Sequence, residues 1–128
     1  MIESLKKEIH VMKILKSPNI VKMYDAIFTK QTTYIILELC PEGDLDKFIE
    51  KHGGHLDEKL GIEVLTELMN GFKELVSHNY IHRVIKPANS LIKDGVHKVA
   101  DFGFATEADI SGKAKIRECC GSPLFMAP

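Results

Sequence analysis

The chain has 128 residues, 45% of them hydrophobic and 27% charged, with a net charge of −1. That length and balance allow one globular core, and the lack of a basic excess or Lys/Arg cluster argues against nucleic acid or an anionic membrane as main partner. The longest apolar stretches, such as Tyr34-Ile35-Ile36-Leu37, fall far short of the roughly 20 residues that cross a bilayer, so no membrane span or signal peptide is expected.

Ile2, Leu5, Ile9 and Met12 recur at intervals of three and four, which predicts an amphipathic helix over 2–16, ended by Ser17-Pro18-Asn19. Residues 20–28 and 33–39 are rich in β-branched and aromatic side chains, and the polar run Thr29-Lys30-Gln31-Thr32 joins them. They are expected to form an antiparallel strand pair. Pro41-Glu42-Gly43-Asp44 is turn chemistry leading into a short helix over 45–51, which Gly53-Gly54 closes.

Asp57 is a candidate N-cap for a longer helix. Along it Leu60, Val64, Leu65, Leu68, Met69, Phe72, Leu75 and Val76 keep helical spacing, which predicts a largely buried side. From His78 the pattern breaks into a loop containing Pro87, followed by two short strands joined by Asp94-Gly95, a two-residue hairpin signal. The remainder from Asp101 is expected to be irregular.

Cys40 and the adjacent pair Cys119 and Cys120 lack the even count and spacing of a secreted disulfide framework. Reduced thiols and a cytoplasmic setting are expected. The six histidines include no His-x3-His pair, and His52-Gly-Gly-His55 lies in a turn, so no zinc site is expected.

The chemistry-bearing residues are His82-Arg83-Val84-Ile85-Lys86-Pro87-Ala88-Asn89 and, after the hairpin, Asp101-Phe102-Gly103. About twenty residues later comes Gly121-Ser122-Pro123-Leu124-Phe125-Met126-Ala127-Pro128. In order and spacing these three segments resemble the catalytic loop, the metal-binding motif and the end of the activation segment of the eukaryotic serine/threonine protein kinases. The Asp-Phe-Gly-Phe-Ala and Cys-Gly-Ser-Pro-Leu-Phe-Met-Ala-Pro runs are most similar to the autophagy-initiating group.

The resemblance implies an α+β, bilobal kinase-like fold, incomplete in this stretch. Residues 1–39 would be a remnant of the N-lobe, and 40–128 the hinge and first half of the C-lobe to the activation segment. The glycine-rich loop and strand lysine of the family would lie upstream of the first helix, and further supporting helices after Pro128.

By the same resemblance, ATP and Mg²⁺ are the cofactors and a protein substrate or partner kinase the partner. Asp101 and Asn89 would supply oxygen ligands to magnesium, a hard cation that takes carboxylate and carbonyl oxygens. Lys86 would neutralise the transferring phosphate; its plainer alternative is an exposed loop lysine. Leu37 resembles the gatekeeper, and the backbones of Glu38 and Cys40 would meet adenine. Asp44 has two readings, ribose contact or helix cap, and Leu91 two, floor of the adenine site or core leucine.

Met12, Met23, His82 and Phe102 align with the side chains that stack between the lobes, which makes His82 structural. Glu8 fits the helix glutamate that pairs with the strand lysine; without that partner it would be an ordinary solvated charge. Glu118 takes the place where many relatives carry a phosphorylated threonine facing the catalytic-loop arginine, here Arg83. It would mimic that phosphate with about half the charge, or be a solvated loop residue. Glu8, Arg83, Glu118 and Ser122 are thus the expected regulatory positions.

The departure is Val84. The family has an aspartate there to accept or orient the proton of the substrate hydroxyl, and valine does neither. General-base function is worth about 10²–10⁴ in rate, so the chain is expected to be catalytically inactive. A pseudokinase-like binding module is the alternative.

Overall fold

The computed structural model describes residues 3–109, 111 and 115–128. In chain order the elements are α1 (Glu3–Ile14), β1 (Met23–Phe28), β2 (Thr33–Leu37), α2 (Leu45–Lys51), α3 (Glu58–Ser77), β3 (Tyr80–Ile81), β4 (Ser90–Lys93), β5 (Val96–Val99) and β6 (Thr106–Glu107). Single 3₁₀ turns occur at Pro87–Asn89 and Pro123–Phe125. The strands form three antiparallel pairs, β1–β2, β3–β6 and β4–β5, so the chain is α+β.

The helix expected over 2–16 spans Glu3–Ile14 and turns Ile9, Val11 and Met12 inward; Ile2 lies outside the described residues. The strand expected from residue 20 starts only at Met23. Ile20 and Val21 belong instead with the hairpin: the Val21 N–H donates to Val99 O at 3.0 Å, and the Val99 N–H to Asn19 O at 2.8 Å. The amide hydrogen bonds of this stretch are therefore spent on β5, leaving the β1–β2 pair to begin later. That pair leaves Tyr24, Ile27, Phe28, Tyr34 and Ile36 exposed.

The short helix is as read. Asp44 caps α2 by accepting from the Lys47 N–H at 2.9 Å, and Asp57 caps α3 by accepting from the Leu60 N–H at 2.8 Å. The hairpin register follows the two-residue turn, with Lys93 opposite Val96 and positive φ at both Asp94 and Gly95, a pairing of angles that suits the twist of the flanking strands.

α3 departs from the expected buried side. Val64, Gly71 and Leu75 are buried, whereas Leu65, Met69 and Val76 are roughly half exposed. Periodicity identifies an apolar face but not what covers it. The packed part is close: a Cβ on Gly71 would sit 2.5 Å from Asn19 O and 2.9 Å from Val99 Cγ2, so this crossing of α3 over the hairpin admits only glycine without movement. Among the described residues after Asp101, a two-residue strand interrupts the irregular segment expected there. Ile81 faces Thr106 and Tyr80 faces Glu107 in a short ladder too brief to carry a sequence signal.

One buried cluster unites these pieces. Val11, Met12 and Leu15 of the first helical segment meet Ile20, Leu75, Tyr80, Val99, Phe102 and Ala105, with Met23, Leu68 and Phe72 packed against them.

Candidate active site

The loop after β3 is built around His82, which is 4% exposed. Its ring lies edge-on to Phe72 and Phe102, with centroids 6.0 and 5.5 Å away. Its Nδ1 accepts from the Val84 N–H at 3.3 Å, so Nε2 carries the proton and donates to Ala100 O at 2.8 Å. Burial holds its pKa down, against the opposing pull of Ala100 O and Asp101, and the ring is neutral. His82 thus ties the loop to the strand end that presents Asp101. Met12 and Phe102 lie in the core cluster with Met23 against it, so the four side chains expected to stack are brought together.

Arg83 takes a left-handed backbone conformation, φ 71°, and its side chain is 14% exposed. The guanidinium donates through Nε to Phe104 O at 2.7 Å and through Nη1 to Glu118 Oε2 at 2.8 Å. Glu118 thus meets Arg83 while its own side chain stays 78% exposed. Arg83 holds the Glu118 carboxyl below its ordinary range. Lys86 Nζ donates to Ser122 Oγ at 3.0 Å, a second tie between loop and distal segment.

Val84 is 6% exposed. Its carbonyl accepts from Asn89 Nδ2 at 3.0 Å, and Asn89 O accepts from the Ala100 N–H at 2.9 Å. The loop therefore closes on itself and on the end of β5 with an apolar side chain inside it. Val84 also lines a cavity of about 290 Å³ with Leu68, Phe72, Ile85, Pro87 and Phe125, and that wall is almost wholly apolar.

Asp101 is exposed with φ 61° and accepts from the Gly103 N–H at 3.3 Å. Glu8 is not the solvated helix charge expected. It is partly buried, and a Cβ on Gly103 would lie 3.4 Å from Asp101 Oδ1 and 3.8 Å from Glu8 Oε2. Burial, with repulsion from Asp101 added, pushes the Glu8 carboxyl upward. The Asp101 carboxylate and the Asn89 amide oxygen are of the donor types that a hard divalent cation such as magnesium takes, and the Asn89 amide nitrogen is turned to Val84 O. No cluster of three or more His, Cys, Asp or Glu side chains suited to a metal occurs among the described residues.

At the hinge, Leu37 is 43% exposed, and Asp44 acts as the α2 cap, the plainer of its two readings. Leu91 is partly buried and bridged to Asp44. Burial, then the Glu38 charge, pushes the Cys40 thiol up. The Glu38 side chain, beyond the backbone role expected of this residue, is well connected. It accepts from the Lys22 N–H at 2.9 Å and pairs with Lys98 at 3.1 Å and Lys93 at 3.3 Å. A second unanticipated pair joins α3 to the hairpin, where Glu67 Oε2 meets both the amide and Nδ1 of buried His97 at 2.8 Å. Neither has a local signal, because the partners lie 16 to 60 residues apart in the chain.

No helix among the described residues is long and apolar enough to cross a membrane. The sequence pattern described as "Protein kinase domain" matches residues 1–128. The serine/threonine-protein kinase ATG1c of Arabidopsis thaliana is 37% identical over 130 residues, covering 98% of this chain and 17% of the relative. The serine/threonine-protein kinase atg1 of Dictyostelium discoideum is 37% identical over 134 residues, covering 98% of this chain and 20% of the relative. The CBL-interacting serine/threonine-protein kinase 10 of Arabidopsis thaliana is 35% identical over 130 residues, covering 100% and 27%. The chain spans about a fifth of the length of the first two relatives. With the catalytic-loop and Asp-Phe-Gly geometry in place and the whole chain matched, it belongs to the protein kinase domain family, among the serine/threonine kinases.

Proposed function

We propose that this chain is a serine/threonine kinase-domain stretch that keeps the residues for nucleotide-bound magnesium and has lost phosphotransfer at Val84. The single observation that carries the reading is the burial of Val84 inside an otherwise well-formed catalytic loop, hydrogen-bonded at its N–H and its carbonyl. The loop has not collapsed around the substitution; it presents an apolar side chain where a base is required. The family's reaction transfers the γ-phosphoryl group of ATP to a protein hydroxyl, and catalysis there rests on positioning and on fixed charge.

In that reading Asp101 and Asn89 hold the metal, and magnesium when bound neutralises phosphate charge. Crowding of Asp101 against Glu8 supports it, since a cation relieves the repulsion between them. Lys86 lies ready to face phosphate but is turned to Ser122. The backbone at Glu38 and Cys40 is the adenine edge, with Leu37 behind it and Leu91 beneath. Residues 1–39 are the N-lobe part and 40–128 the hinge and C-lobe part. The setting is the cytoplasm, and the partner a protein substrate or partner kinase.

The test is incubation of the purified chain with labelled Mg-ATP and a generic protein substrate. The expected result is no phosphate incorporation, or incorporation two to four decades slower than the about 1–100 s⁻¹ typical of kinases. Incorporation at that typical rate that disappears in Asp101→Ala would overturn the proposal.

A second reading, a pseudokinase-like module acting by binding, is favoured by one feature: the Arg83–Glu118 and Lys86–Ser122 contacts hold the distal segment against the loop without any phosphate. Under it, Mg-ATP raises the melting temperature of the chain and does so less for Asp101→Ala. An identical response in both proteins would remove the support for it.

A further inference from the structure

Cys119 has no part in the kinase reading, and Cys120 enters it only as the first residue of the Cys-Gly-Ser-Pro run, with no role assigned to its thiol. Both are free thiols, Cys119 exposed and Cys120 partly buried. Cys120 lines a cavity of about 240 Å³ with Arg83, Ser122 and Met126, and the pair directly follows Glu118, whose carboxylate is held by Arg83. Adjacent Cα atoms lie about 3.8 Å apart, whereas disulfides ordinarily span about 4.4–6.8 Å between Cα atoms. A bond between neighbouring cysteines therefore closes a strained ring that includes the intervening peptide unit. Strained, accessible disulfides have the higher reduction potentials of the labile and regulatory class.

We propose that Cys119 and Cys120 form a vicinal dithiol site, reversibly oxidised by hydroperoxides, that releases the Glu118–Arg83 contact. The sulfur of one cysteine attacks a peroxide oxygen. The O–O bond breaks, leaving a sulfenic acid and one molecule of water when hydrogen peroxide is the oxidant. The neighbouring thiol then attacks the sulfenic sulfur, the S–O bond breaks, and a second water leaves as the S–S bond forms. Two thiols are oxidised by two electrons in total, and one peroxide is reduced to two waters. A dithiol reductant reverses the step by exchange.

Ring closure fixes the torsions on both sides of the shared peptide unit and so redirects the chain at Glu118. That residue yields first, because its side chain is 78% exposed while the Arg83 side chain is only 14% exposed. The oxidised form thus frees Nη1 of Arg83 at the catalytic loop while Nε keeps Phe104 O, whatever the chain's competence in phosphotransfer.

The experiment treats the full chain with one equivalent of hydrogen peroxide, alkylates remaining thiols and digests with trypsin. Cleavage after Arg117 gives a peptide of residues 118–128 that contains both cysteines and excludes Cys40. The expected peptide has lost two hydrogens and carries no alkyl group, and dithiothreitol before alkylation restores two alkylation sites. Cys119→Ser and Cys120→Ser each abolish that species. Two alkylated cysteines after peroxide, a bond to Cys40 or to a second chain, or only higher oxides of sulfur would overturn the site. Amide exchange over 115–118 is expected to accelerate on oxidation, and unchanged exchange would overturn the link to Arg83.

Discussion

Replacing Glu38 by glutamine probes the hinge most sharply. The carboxylate is 6% exposed and faces the ammonium of Lys98, itself 12% exposed, at 3.1 Å. The more open Lys93, 35% exposed, lies at 3.3 Å. Glutamine keeps an oxygen for the Lys22 N–H but leaves Lys98 without a counter-charge. A charge-assisted hydrogen bond contributes about 1.5–3 kcal/mol, and truncating one member of a buried pair costs about 3–5 kcal/mol; the more open Lys93 is screened by solvent and adds little. Glu38→Gln is therefore expected to lose about 3 kcal/mol in urea unfolding with an unchanged m-value.

The pH dependence has a defined sign. Burial alone would raise the Glu38 carboxyl, but the Lys22 amide, Lys98 and Lys93 outweigh it and hold it below 4.5. Its stabilisation is thus full above about pH 4.5 and is lost as pH falls through the folded value, and the variant lacks this acid-side loss. Combining it with Lys98→Met should recover at least about 1 kcal/mol relative to the sum of the single changes. A loss under about 0.5 kcal/mol, or strict additivity with Lys98→Met, would refute the reasoning that the hinge is locked by this pair.

Glu8→Gln should raise stability at neutral pH, since the folded state disfavours the ionised Glu8; the native chain should accordingly lose stability as pH rises from 4.5 through the raised folded value, and a flat difference between the two proteins over that range would contradict this. Gly71→Ala should lower stability by about 1–3 kcal/mol through overpacking against Asn19 and Val99, measured by urea unfolding, and a stabilised variant would show that the crossing is looser than described.

What could be read from the sequence divides along physical lines. Features set by local chemistry were legible: the caps Asp44 and Asp57, the Asp94-Gly95 turn, and the three motif segments whose spacing identifies the site. Features set by distant partners were not. Nothing near Glu38 points to Lys93 and Lys98, nothing near Glu67 to His97, and nothing near Tyr80 to Glu107, because those contacts exist only once the hairpin has folded against α3 and the hinge. Glu8 is a case of the same kind: a charged residue on an amphipathic helix reads as solvated, yet the fold partly buries it within electrostatic reach of Asp101. The apolar period of α3 was read correctly as a face, but its burial depends on neighbours that period does not name.

The way the loop is assembled also explains why Val84 is accommodated. His82 and Asn89 hold the residue through its backbone atoms, so the side chain is free to change without dismantling the turn. Position is specified by the neighbours, and chemistry by the side chain alone. The loop therefore keeps its shape with valine at this position.

The most direct test is a single-turnover measurement of phosphoryl transfer from labelled Mg-ATP with the chain in excess over nucleotide. Kinases typically turn over at about 1–100 s⁻¹, and loss of the base lowers a mid-range value of about 10 s⁻¹ by two to four decades, to about 10⁻³–10⁻¹ s⁻¹ or below. A rate constant in that lower range, or no transfer, is the result expected of Val84. Transfer at about 10 s⁻¹ that is abolished by Asp101→Ala would contradict it.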